Sequence, residues 1–306
     1  VAKNIEDPET KLSVWKRLQL AGIAQAQSAD DRKELRQRPD LRIDPLGSGT
    51  DYTTFVDHLG IASLNLGYGG EDNQGIYHSI YDDFYWYTHF SDSTFVYGRA
   101  LAQTIGTSVL RLADAEVLPF DFTDFADTVH KYNQELQKLL ADKQEEIRER
   151  NQQLEEGVFQ AALDPRHPTV APPHEEVPPH LNFAPLQNAA EALARSAEHY
   201  RKALAAANLD GNAAEKLHAL NASLIESERK LTNDDGLPRR PWYKHLLYAP
   251  GVYSGYGAKT VPGVREGIEQ KRYAEADQEI MRVAKALQDE AALIETAAGQ
   301  AEQIGR

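Results

Sequence analysis

From Phe125 onward the apolar residues of this chain recur in alternating steps of four and three, the pattern of helices buried along one face. Phe125, Val129, Tyr132, Leu136 and Leu139 open the series, and Leu186, Ala190, Leu193, Ala197, Tyr200 and Leu204 continue it. Ile280, Ala284, Leu287, Ala291, Ile294, Ala298 and Ala301 close it. An average step of about 3.5 predicts nearly parallel, left-handed helix packing, as in a four-helix bundle. Leu217, Leu220, Leu224 and Leu231 mark a further helix. The turn Leu209-Asp210-Gly211-Asn212 joins it to its predecessor and is short enough to force the two antiparallel. For most of these positions the plain expectation is core within one chain. Ala-rich faces such as Ala291, Ala298 and Ala301 would also suit a seam between two chains. The mixed charges from Lys143 to Glu156 read as a solvated helix face.

Two connections interrupt the helices. Residues 164–185 hold Pro165, Pro168, Pro172, Pro173, Pro178, Pro179 and Pro185, which exclude a helix or a central strand. Leu181, Phe183 and Leu186 supply apolar anchors, so an extended strap lying on the bundle is expected. The second connection, residues 236–263, carries LPRRPWYKHLLYAP and then GVYSGYGAKTVPG.

Ahead of Pro119 the pattern is different. Residues 1–46 are charged and punctuated by proline, around a short helical stretch near Val14 to Leu20. Residues 51–58 read as a short helix capped by Ser48 or Thr50, whose hydroxyls can accept a free N–H of the first turn. Ile61 to Leu66 is a short apolar run between glycines and predicts a buried strand. A loop rich in Gly, Asn and Asp at 67–75 leads to Tyr77 and His78. A helix follows from about Ser93 to Ala115, with Ile105, Val109 and Leu112 on one face, and Pro119 ends it. The expected fold class is therefore α+β, predominantly α. A portion of an α/β domain at 1–118 would be followed by an antiparallel helical bundle at 119–306.

A net charge of -14 over 306 residues disfavours nucleic acid or an anionic membrane as partner. With no cysteine, disulfides and thiolate chemistry are excluded, but the compartment is not fixed. No apolar run approaches the roughly 20 residues that span a bilayer, so no membrane contact by this segment is expected. Val1 is neither an initiator methionine nor the start of a signal peptide. The N-terminus is thus expected to be a cleavage or cloning boundary, with any targeting signal lost upstream.

The chemistry-bearing candidates are few. A histidine in an arbitrary loop usually does no more than satisfy local polar groups. His78, however, lies in Tyr77-His78-Ser79-Ile80-Tyr81, downstream of Ser48-Gly49-Thr50-Asp51, Phe55 and the run Leu59 to Ser63. Leu237-Pro238, Arg240-Pro241, Tyr243, His245 and Tyr248-Ala249-Pro250 form a third, longer pattern. Together these segments resemble the C-terminal part of the family of glutamate carboxypeptidase II and the transferrin receptor. The likeness extends over almost the whole chain, least securely over the proline strap.

That resemblance implies an M28-type zinc exopeptidase whose intact form holds two zinc ions, with His78 as one metal ligand. Tyr77 would donate a hydrogen bond to the oxyanion of the tetrahedral intermediate. Gly49, Thr50 and Tyr256 would lie along a peptide substrate, and the helical domain would pair two chains. The family's remaining ligands and its general-base Glu precede the region matched by Val1. No histidine here begins an H-x-D, and His174-Glu175-Glu176 has Pro178 where an H-E-x-x-H would need its second histidine. This chain alone is expected to be inactive and to bind zinc weakly or not at all. Where the carboxypeptidase places two arginines and a Lys-Tyr pair, Asn65, Gly67 and Gly255-Tyr256 stand here, and Lys259 is three positions late. A broad or apolar side-chain preference is expected. The alternative is a non-enzymatic, transferrin receptor-like binding or structural protein; retention of Tyr77-His78 favours the peptidase. The compartment stays open, with a secreted, periplasmic or membrane-anchored ectodomain setting expected ahead of the cytoplasm.

Overall fold

A computed structural model describes residues 1–69, 76–162, 166–167, 170–208 and 214–304. The predicted turn at Leu209 to Asn212, the glycine-rich loop at 70–75, and Pro165 and Pro168 lie outside the described residues. The chain divides into two compact units: Val1–Asp44 with Leu64–Pro119, and Pro45–Ser63 with Phe120–Arg306.

The first unit contains helices α1 (Val14–Gln25), α2 (Ala29–Gln37) and α3 (Val96–Ala113). Ser13 and Ser28 cap the first two, each hydroxyl accepting a first-turn N–H. The Gln19 amide donates to the Leu35 carbonyl and holds α1 on α2. Arg17 reaches from α1 to Asp7 (2.7 Å) and to the Tyr97 hydroxyl on α3 (2.8 Å). Ile105, Val109 and Leu112 are not buried; Val109 is 58% exposed, and α3 buries Ala100 and Thr104 instead. The run Ile61 to Leu66, whose first three residues belong to the second unit, is not a strand. Strand geometry needs a ladder of hydrogen bonds to a neighbour, and the described residues supply no strand beside this run.

In the second unit the predicted helices form: α4 (Phe122–Glu155), α5 (Ala184–Ala206), α6 (Ala214–Ile225) and α8 (Tyr273–Ile304), with the shorter α7 (Pro262–Glu269). All seven apolar positions predicted for α8 are buried, and so are Ala276, Val283, Ala286, Ala297 and Ile304. A stripe this wide arises because α5 packs on one side of α8, and α6 and α7 on others. Ala291, Ala298 and Ala301 are thus core within one chain. Of the five residues of the first predicted stripe, Val129 and Leu136 are buried and the other three miss the buried face by one residue. Phe125, Tyr132 and Leu139 are half-buried, while Phe122, Ala126, Val129, Asn133, Leu136 and Leu140 face inward.

Cross-links between helices give their directions. Gln187 meets Gln137 and Tyr200 meets Phe122, so α5 runs antiparallel to α4. Lys216 meets the Gln303 carbonyl and Ser227 meets Glu290, so α6 and the short helix Ser227–Lys230 run against α8. Successive long helices therefore alternate in direction. The central pair α5 and α8 is parallel: Asn182 meets Asp277, and His199 meets Glu295 and Glu302.

Residues 170–183 lie on this bundle, with Leu181, Phe183 and Pro178 buried. Asn151 of α4 explains how a proline-rich segment is held. Its amide donates to the Glu175 carbonyl (2.7 Å), and its side-chain oxygen accepts the Glu175 N–H (3.0 Å). Gln144 donates to the Pro178 carbonyl (3.0 Å), and the Glu175 carboxylate takes both Arg150 and Lys271.

Candidate functional site

The predicted site residues fall in both units, and each group is described within its own. In the second unit residues 45–63 are stapled to the connection 237–261. At one end the Ser48 N–H donates to the Tyr256 carbonyl (3.0 Å). Glycine is required here for close approach. A Cβ on Gly47 would stand 2.0 Å from the Tyr256 carbonyl oxygen, and one on Gly49 would stand 2.7 Å from the Tyr256 ring. Gly49 also has φ of +105°, a region where side chains are strained. The predicted pair Gly49 and Tyr256 is thus brought into contact, with Thr50 next in the turn.

The helix expected at 51–58 is present over 52–58 and widens into a π turn at Thr54–His58, without a side-chain cap. The Thr50 hydroxyl accepts from the neighbouring Asp51 N–H (2.7 Å) rather than from the helical turn, and Ser48 caps nothing. At the far end the Asp57 carbonyl accepts the N–H groups of Lys244 (2.7 Å) and His245 (3.2 Å). His58 stacks on Trp242 at 5.0 Å and bonds its carbonyl through Nδ1 (2.7 Å).

Beneath the staple lies a polar network that sequence patterning missed. His245 is fully buried. Its Nδ1 accepts the N–H groups of Leu247 and Tyr248, which leaves the ring proton on Nε2, donated to Glu228 (3.0 Å). The Tyr248 hydroxyl donates to the same Glu228 oxygen. Burial opposes ionisation of Glu228, but these two donors outweigh it and hold its carboxyl below the usual range. Strand β1 (Tyr248–Pro250) pairs antiparallel with β2 (Ala258–Thr260), Tyr248 opposite Thr260, and the hairpin between them carries Tyr256. Lys259, the late cation of this hairpin, is bonded to Glu269 of α7. The nearest sequence signal for the network was the LPRRPWYKHLLYAP pattern, which identifies its residues but not their partners.

In the first unit Tyr77 and His78 occupy an exposed turn closed by Ser79 N–H to the Ile76 carbonyl (2.8 Å). Their rings meet edge to face at 4.1 Å, and Tyr77 is 70% exposed. His78 has φ of +65°, uncommon for any residue but glycine. Among the described residues no group of three or more His, Asp or Glu side chains could share a metal ion. One imidazole does not make a zinc site, which takes at least three protein ligands. The residues present therefore do not fit a zinc centre by themselves.

Residues 181–295 match the family model of the transferrin receptor-like dimerisation domain. Over 79% of its length the chain is 31% identical to the probable glutamate carboxypeptidase LAMP1 of Arabidopsis thaliana, covering 30% of that protein. It is equally similar, at 31%, to a probable glutamate carboxypeptidase of Arthroderma benhamiae, covering 29% of it. With the aminopeptidase NAALADL1 of Rattus norvegicus it shares 24% over 82% of the chain, covering 31% of that protein. The chain thus spans about a third of the length of the curated relatives it matches. Among the described residues no helix is long and apolar enough to cross a membrane.

Proposed function

We propose that this chain, whose residues 181–295 are a transferrin receptor-like dimerisation domain, is the C-terminal part of a dimeric zinc-dependent exopeptidase. Residues 1–118 are read as a portion of its catalytic domain and 119–306 as its helical domain. The observation that carries this reading is the apolar surface of the first unit. Ile80, Phe84, Phe90, Val109 and Leu110 are all more than half exposed, as expected of a segment made to fold against further chain.

Within that protein His78 is one metal ligand, the remaining ligands coming from outside this chain. Tyr77 donates its phenol O–H to the oxyanion formed when the peptide carbonyl is attacked. Gly49, Thr50 and Tyr256 contact the substrate. Lys259 is committed to Glu269, so a substrate carboxylate beside Tyr256 would find no cation there to offset its lost hydration. This supports a preference for uncharged or apolar side chains, of the aminopeptidase kind, over release of C-terminal glutamate.

Hydrolysis of a dipeptide panel by the longer, zinc-loaded protein tests the reading. Uncharged dipeptides should be preferred, and Tyr77→Phe should lower kcat about 10²-fold, the value of one oxyanion donor. Unchanged kcat would remove Tyr77 from the chemistry, and no hydrolysis of any peptide would favour the non-enzymatic reading. Pairing can be measured on this chain as it stands. Sedimentation equilibrium at micromolar concentration should give a two-fold dimer of about twice 34.2 kDa, and a monomer alone would contradict it.

A further inference from the structure

Asp57 lies in the staple between residues 45–63 and the connection 237–261. Its side chain is fully buried, and neither carboxylate oxygen has a hydrogen-bond donor. The cation acting on it is Arg240, whose two Nη atoms are committed and whose Nε is buried without a partner and makes no bond to Asp57. Its Nη2 donates to Glu266 (2.8 Å) and its Nη1 to the Pro250 carbonyl. Glu266 is itself buried, and its other oxygen takes the Val252 N–H (2.9 Å). The remaining titratable groups acting with Asp57 are the phenols of Tyr52, on the same segment, and Tyr248, on β1. Behind Tyr248 stand Glu228 and His245. One guanidinium therefore serves two buried carboxylates, and geometry has given it to Glu266.

We propose that docking of residues 45–63 onto the connection is gated by protonation of Asp57, the neutral acid docking and the carboxylate releasing. An ionised Asp57 would be a buried charge without a donor, whereas the neutral acid loses far less on leaving water. Burial pushes the Asp57 carboxyl up to about 7, against the opposing influence of Arg240. Undocked, it returns to the ordinary carboxylate range near ~4. Between those values the docked form holds a proton that the undocked form has lost. Docking therefore weakens about tenfold per pH unit as pH rises through that window, and levels off above it. The turn bearing Gly49 and Thr50 is held on Tyr256 most firmly in mildly acidic solution.

Glu290 of α8 is a second buried carboxylate pushed up to about 7 by burial, so global stability cannot isolate Asp57 and a local readout is needed. The amides of Lys244 and His245, which donate to the Asp57 carbonyl, provide it. Their hydrogen-exchange protection in the 306-residue chain, corrected for intrinsic rates, should fall about tenfold per unit from pH 5 to 7. In Asp57→Asn it should stay flat, and at pH 7.5 it should exceed wild type by about tenfold or more. In Glu290→Gln the fall should persist. A flat wild-type profile, or a fall retained in Asp57→Asn, would overturn the proposal. Should Asp57→Asn fail to fold, the ¹³C titration of the Asp57 carboxyl in wild type decides. A midpoint near 7 supports gating, and one in the ordinary range below about 5 refutes it.

Discussion

Leu287→Ala should lower the stability of the helical unit by about 2–5 kcal/mol, the range for deleting a fully buried leucine with incomplete collapse of the cavity. Leu287 is 0% exposed, and so are Ile280 and Ile294 above and below it on the same stripe. Helix α8 is covered by α5 on one side and by α6 and α7 on others, so few neighbours are free to move into the space. For a unit of this size the loss corresponds to a fall in Tm of roughly 4–20 °C. Met281, on the same helix but 57% exposed, is the control: Met281→Ala should stay within about 0.5 kcal/mol of wild type. Urea denaturation followed by circular dichroism would measure both. Equal, small losses at the two positions would mean that α8 is not the centre of this core.

The reason α8 was legible from its sequence is also why other parts were not. Periodicity reports which face of a helix prefers to leave water, and for α8 the neighbours that cover that face are in the same chain. For α3 the preference is equally plain in Ile105, Val109 and Leu112, yet these side chains stay exposed. The run Ile61 to Leu66 fails for the related reason that a strand exists only with a second strand. On α4 the inward stripe includes Asn133 and Asn151, which an apolar count skips. Asn151 is inward because it satisfies both backbone groups of Glu175 in the strap, a purpose that no local pattern expresses.

The candidate site divides in the same way. Gly49 and Tyr256, both drawn from motifs, are in contact. Asp57 was passed over, although a lone acid between Val56 and Leu59 in an otherwise uncharged stretch was a signal available in the sequence. The commitment of Lys259 to Glu269 and of Arg240 to Glu266 was not available there. Ion-pair partners 10 and 26 residues apart are chosen by the hairpin and by α7, not by sequence neighbours.

Arg240→Ala should cost about 3–5 kcal/mol, because it strands a buried carboxylate rather than merely removing a contact. The Arg240 and Glu266 side chains are only 15% and 4% exposed. Arg240 also donates to the Pro250 carbonyl at the end of β1 and lies over the Tyr243 ring at 5.4 Å. Its removal therefore loosens the connection 237–261 at three points. Arg240→Lys should recover only part of the loss, since an ammonium cannot reproduce the guanidinium's fork to Glu266 and the Pro250 carbonyl. The double variant Arg240→Ala with Glu266→Gln separates the causes. If the stranded charge dominates, it should be more stable than Arg240→Ala alone; if lost packing dominates, it should be no better. Urea midpoints of the four proteins at one fixed pH, with unchanged m-values, would measure this. A single-variant loss below about 1 kcal/mol would place Arg240 among ordinary surface ion pairs and remove it as the anchor of the hairpin that carries Tyr256.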